Sequence, residues 1–120
     1  HDWYVIEISS FQLDGTRTFQ PHIGLLMNIT PDHLDRYDYQ MENYINSKFR
    51  LVQNMDSGNH FIYYSDDPVT SPEVNKRAIK ANTIGVSLKD QQAPAHYDGA
   101  KMVFTLGGSD FSIAQSETTL

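Results

Sequence analysis

The sequence predicts an α/β fold: a mostly parallel sheet with flanking helices, followed by a small antiparallel β meander. Three observations carry this. Runs rich in β-branched and aromatic residues alternate with helical patterns from residue 1 to about residue 87. The best of those helical patterns, Gln40 to Met55, has a clear apolar arc. After Leu88 the pattern changes to three short strands separated by Asp98-Gly99 and Gly107-Gly108, turn dipeptides at hairpin spacing.

Asp2 to Ser9, DWYVIEIS, reads as a buried parallel strand, because its apolar run is nearly continuous. Glu7 falls at its carboxyl end, where open α/β sheets place their chemistry. Ser9 to Gln20 reads as a connection turned at Asp14-Gly15 and anchored by Phe11 and Leu13. His22 to Ile29 reads as a second buried strand. In TPDHLDR, Thr30 is expected to cap a short helical turn with Pro31 at its first position, and His33 follows the second strand as Glu7 ends the first. If the two strands are neighbours, Glu7 and His33 converge, and they suit a hard divalent ion such as Mg²⁺ or Mn²⁺.

The helix from Gln40 to Met55, with Asp38 as its expected cap, gathers Met41, Tyr44, Ile45, Leu51, Val52 and Met55 on one arc at about 100° per residue. Ser47, Arg50, Gln53 and Asn54 lie on the opposite, polar arc. Lys48 sits near the middle of the apolar arc. An amine there is costly unless it is paired, reaches water or loses its charge. It can snorkel to an ion pair, hold a phosphate, or, when neutral, take up CO₂ as a carbamate that ligates a metal. Asn59 to Ser65 reads as a third strand, Thr70 to Lys80 as a helix with Val74, Ala78 and Ile79 inward, and Asn82 to Ser87 as a fourth strand. The meander strands are Ala95–Tyr97, Lys101–Leu106 and Ser109–Ala114, and their role is read as structural.

Composition excludes several function classes. The chain has 120 residues, 39% of them apolar, enough for a core. The net charge of −6 with no basic run argues against a nucleic-acid surface. With no cysteine there is no disulfide framework and no thiolate metal site. No apolar run approaches the ~20 residues of a membrane span. Neither G-x-x-x-x-G-K-[ST] nor G-x-G-x-x-G occurs. The chain opens on His1 and runs at once into the first strand, so a piece of a longer polypeptide is expected.

Three segments together resemble a known family: E-I-S-S-F-Q-L at Glu7–Leu13, N-I-T-P-D-H-L-D-R at Asn28–Arg36, and Y-x-x-x-K at Tyr44–Lys48. They are similar, in order and spacing, to the central domain of the Mur ligases, and S-D-D-P at Ser65–Pro68 is similar to the N-x-D-D region of that domain. The S-S-F-Q-L run most resembles the member that adds D-glutamate. The resemblance implies a cytoplasmic ligase of peptidoglycan synthesis that activates a carboxylate with ATP as an acyl phosphate and couples it to an amino acid. Its substrates would be UDP-N-acetylmuramoyl-L-alanine, D-glutamate and ATP.

By matched position, Glu7, His33 and Lys48 would be Mg²⁺ ligands, Lys48 as a carbamate; Asp32 would orient the incoming amine; Ser9, Gln12 and Asn28 would line the muramoyl site. On this reading residues 1–120 are part of the central domain, with 1–87 as the α/β part and 88–120 as the meander. The family's phosphate loop and flanking domains are not among these residues, so the 120 residues alone are expected to be inactive and to tend to dimerise through an exposed sheet edge. The alternatives are another Mur ligase, a folylpolyglutamate synthase, a metal-dependent phosphohydrolase, or a binding module without catalysis.

Overall fold

A computed structural model describes residues 2–118. Its sheet has six strands in sequential order: β1 (Ile23–Leu26), β2 (His60–Tyr64), β3 (Asn82–Ser87), β4 (Ala95–Tyr97), β5 (Lys101–Leu106) and β6 (Ser109–Ala114). The first four run parallel, with Leu25 beside Ile62, Ile62 beside Ile84, and Val86 beside Ala95. The last three form the antiparallel meander, which extends the same sheet instead of packing on it. All three meander strands have the bounds their sequence pattern predicts. Gly107 and Gly108 both take positive φ, +59° and +79°, the conformation a two-residue hairpin loop with native twist requires.

The helices are α1 (Ser10–Asp14), α2 (Met41–Phe49) and α3 (Thr70–Lys76), with a 3₁₀ turn at Leu34–Tyr37. The core lies between the helices and the parallel strands. Phe61 of β2 is fully buried at its centre, with Leu26, Ile29, Tyr44, Phe49, Met55 and Val74 around it. Gly24 of β1 lets α2's continuation come close: a Cβ there would stand 3.2 Å from Leu51 and 3.4 Å from the Met55 sulfur.

Several expected elements change. The segment Asp2 to Ser9 is not a strand: it has no regular structure and is largely exposed, with Tyr4 77% and Val5 102% accessible. The edge-on contact of Trp3 with His22, at 5.9 Å, sets its start beside the neighbourhood of β1. A continuous apolar run reports the surroundings a strand needs, not whether they are present. β1 is likewise covered on one face only: Gly24 and Leu26 are buried, while Ile23, Leu25 and Met27 are exposed. The connection after Ser9 contains α1, opened by a capping box in which the Ser9 side chain accepts from the Gln12 backbone and Gln12 reaches back to Ser9.

Thr30 and Pro31 do not start the short turn, which begins at Leu34 after a left-handed His33. Asp38 does not cap α2. It closes the 3₁₀ turn in a left-handed conformation, and α2 starts after Gln40 without a side-chain cap. The long helix is α2 continued as 3₁₀ over Arg50–Val52, a common tightening of a last turn. The third helix stops at Lys76, with Arg77 extended, so Ala78 is exposed instead of facing inward.

Candidate functional site

The parallel strands aim their carboxyl ends at one side, and the candidate polar groups follow those ends: Asn28, Asp32 and His33 after β1, Asp66 after β2, Leu88 after β3. Asp66 bridges two of them. Its carboxylate accepts from Ser87 Oγ at 2.6 Å and from the Leu88 amide at 2.8 Å. Burial pushes this carboxyl up, but the bonds from Ser87, Leu88 and Tyr64 and the charge of Lys89 outweigh it, so Asp66 titrates below its ordinary range.

Three of the expected site residues, Lys48, Asp32 and His33, are linked to Tyr44 on α2 directly or through one another. Lys48, one turn on, holds its Nζ 5.5 Å from the Tyr44 ring centroid. Asp32 is near enough for its charge to act with burial, the larger effect, in raising the Tyr44 phenol above its usual pKa. His33 pairs with Asp32 at 3.3 Å, Nε2 to Oδ2. His33 also packs edge-on against Phe11 of α1 at 5.4 Å. Its backbone is left-handed, φ 50°, a sparsely used conformation for a non-glycine residue that tends to cluster at functional sites.

Lys48 is half-buried. The apolar arc therefore places it at the rim of the core, not in its middle. Among the described residues it makes no hydrogen bond or ion pair. Glu7 sits in the exposed, irregular lead to α1, so the neighbouring-strand premise for its convergence with His33 fails. Ser9 and Gln12 serve each other in the α1 capping box: Gln12 Oε1 takes Ser9 N and Oγ, leaving its amide hydrogens free among the described residues. Asn28 is exposed just beyond β1.

A divalent ion can be tested against these side chains. Carboxylate, imidazole and an amine able to become a carbamate are donor types that a hard cation accepts. Their number falls short, however: among the described residues no three His, Asp or Glu side chains come together to hold a metal.

Residues to which the sequence assigns no role at the site do much of the local work. Phe11 lies under the Arg36 guanidinium, 4.3 Å from Cζ to ring centroid, as well as against His33. Arg50 donates from Nε to Leu13 O at 2.8 Å and from Nη2 to Thr16 O. Asn54 donates to Arg17 O and Phe19 O, so the polar arc of the helix docks the loop after α1 instead of facing water. The Ser9-x-x-Gln12 spacing was the one available signal for α1. A polar open cleft of about 350 Å³ lies over Tyr37 and Ser47, walled by Asp14, Asn46 and Arg50, apart from Glu7, His33 and Lys48.

An open, largely parallel sheet with polar groups beyond the strands' carboxyl ends defines an α/β domain. The family is more specific. Residues 1–119 match the model of the Mur ligase middle domain, and the chain belongs to that family. It is 43% identical, over all of its length, to the UDP-N-acetylmuramoylalanine–D-glutamate ligase of Christiangramia forsetii, covering 27% of that protein. It is 49% identical over 88% of its length to the enzyme of the same name from Bacteroides fragilis, covering 24% of it. The chain thus spans about a quarter of the length of these relatives. Its fold is similar to the MurF ligase of Thermotoga maritima solved with ADP: TM-score 0.53, 16% identity, 79% of this chain and 22% of that one. Among the described residues no helix is long and apolar enough to cross a membrane.

Proposed function

We propose that this chain is the catalytic middle segment of an ATP-dependent ligase that joins D-glutamate to UDP-N-acetylmuramoyl-L-alanine through an acyl phosphate. The likeness to two relatives of that name, one along the entire chain, carries the reading. The motifs quoted above support it: the second supplies the Asp32–His33 pair, the third sets Lys48 over Tyr44, and Phe11 of the first packs against His33. Both nucleotide substrates would be met in the cytoplasm. Residues 1–120 would form one unit of that protein, the α/β part at 1–87 and the meander at 88–120.

In this reading Glu7, His33 and Lys48 are the chain's contribution to a Mg²⁺ (or Mn²⁺) centre completed by groups outside it, Lys48 after carbamylation. A bound divalent ion there would neutralise phosphoryl charge during transfer. Asp32, held beside His33, would orient the incoming amine. Gln12, with its oxygen committed to Ser9, would offer its amide hydrogens to the muramoyl substrate, with Ser9 and Asn28 beside it. The exposed apolar surface of Trp3 to Ile6 and β1 fits the same reading: it is surface that a longer chain covers, or that pairs two copies when left bare.

The test is phosphate release from ATP with the UDP-muramoyl-L-alanine acceptor, with and without D-glutamate, in a protein of the relatives' length carrying this segment. Release should depend strictly on D-glutamate. Lys48→Ala should abolish it, and a short free carboxylate should restore part of it, by standing in for the carbamate oxygens. Release indifferent to D-glutamate would point to another superfamily member or a phosphohydrolase.

A further inference from the structure

The candidate residues ride on three short elements: Ser9 and Gln12 on α1, His33 at the start of the 3₁₀ turn, Lys48 on α2. One side chain ties all three together. Tyr37 ends the 3₁₀ turn and is buried. Its hydroxyl donates to Asp14 Oδ2 on α1 at 2.9 Å and meets Ser47 Oγ on α2 at 3.1 Å. Ser47 in turn donates to the Ser10 carbonyl on α1 at 2.9 Å. The Tyr37 carbonyl accepts from Asn43 Nδ2 on α2 at 3.3 Å. Its ring stacks on Phe11 at 6.0 Å and tilts against Tyr44 at 5.4 Å, the same two rings that contact His33 and Lys48.

We propose that Tyr37 is a positioning residue, whose buried hydroxyl locks the turn carrying His33 to the helices carrying Gln12 and Lys48. Packing alone does not account for it, because a phenylalanine ring would fill the same space. The hydroxyl adds direction: Tyr37 and Ser47 share two hydroxyl hydrogens among three close contacts, so each hydrogen is committed to one partner at a time and the geometry favours one arrangement of Asp14, Ser47 and the Ser10 carbonyl. The turn needs such a constraint. His33, Asp38 and Tyr39 are all left-handed, with φ of 50°, 55° and 56°, and backbone of this kind persists only where its surroundings over-determine it. Ser47 is the matching anomaly on α2, a buried serine on an arc that is otherwise polar and partly exposed.

The inference rests on the ligase reading for its activity readout, so the test carries a second one. In a protein of the relatives' length, Tyr37→Phe and Ser47→Ala would be compared with Val74→Ala, a core truncation in α3 away from the site. Tyr37→Phe should lower kcat by about 10- to 100-fold while KM for ATP stays within about twofold, the pattern of lost alignment. It should also shift the NMR signals of the His33 ring. Ser47→Ala should do the same to a smaller extent, and it stands in if Tyr37→Phe does not fold. Val74→Ala should lower the melting temperature and leave kcat and the His33 signals unchanged. Equal kcat losses in Tyr37→Phe and Val74→Ala, or unchanged His33 signals in both hydroxyl variants, would overturn the proposal. If the unmodified protein shows no D-glutamate-dependent release, the ligase reading falls, and the His33 signals alone decide whether the lock exists.

Discussion

Lys48 shows what a helical wheel can and cannot assign. The wheel finds it among apolar neighbours, and in the structure its amine lies over the Tyr44 ring at a half-buried rim. The wheel misreads Ser47 and Arg50, because polar side chains look alike whether they face water or a docked loop. Two residue-scale outcomes follow. Phe61→Ala, at a fully buried position, should cost about 3–5 kcal/mol in denaturant unfolding. Acid should destabilise the fold through Asp66 and Glu73. Partial burial pushes Glu73 up, but hydrogen bonds and charge from Lys76 and Arg77 outweigh it and hold it below its ordinary range. Both carboxyls therefore titrate lower folded than unfolded. Their stabilisation is present above the unfolded value of about 4 and drains away as the pH falls through the folded values. Unfolding midpoints measured from pH 6 to pH 2 should decline mainly below about pH 4, and Glu73→Gln should shrink that decline.

At the scale of elements, local chemistry decides short structures and neighbours decide strands. α1 has only five residues and survives by its capping box and by Ser47 of α2 and Arg50 of its 3₁₀ continuation, which reach it. Ser9→Ala should cost about 1 kcal/mol through loss of the cap. Arg50→Ala strips bonds from the Leu13 and Thr16 carbonyls, so hydrogen exchange should quicken across residues 13–19 while β2 stays protected. The meander was fully legible because its turns are specified by residues within them: glycines at positive φ, and Asp98 accepting from the Ala100 and Lys101 amides. The Asp2 to Ser9 segment was not, because a strand's pairing comes from elsewhere in the chain.

For the whole molecule, one face of the parallel strands is sealed by helices, while Ile23, Leu25 and Met27, with the Trp3 to Ile6 segment, leave apolar side chains in water. Apolar surface grouped this way associates. The 120-residue chain should self-associate in sedimentation at micromolar concentration, and Leu25→Lys should reduce the effect. Unchanged sedimentation in the variant would remove β1's face as the cause.

The sequence by itself determined the class, the order of most elements, the strands and turns of the meander and the grouping of motifs that marks the family. These depend on periodicity, turn chemistry and residue identity, all of which are local. Only the tertiary structure decided which faces are covered, that the Ser9 connection is helical, that His33 begins its turn left-handed and pairs with Asp32, and that Lys48 lies over the Tyr44 ring. Those outcomes depend on contacts between residues far apart along the chain, and Tyr37, joining Asp14 to Ser47, has no signature in any window of sequence.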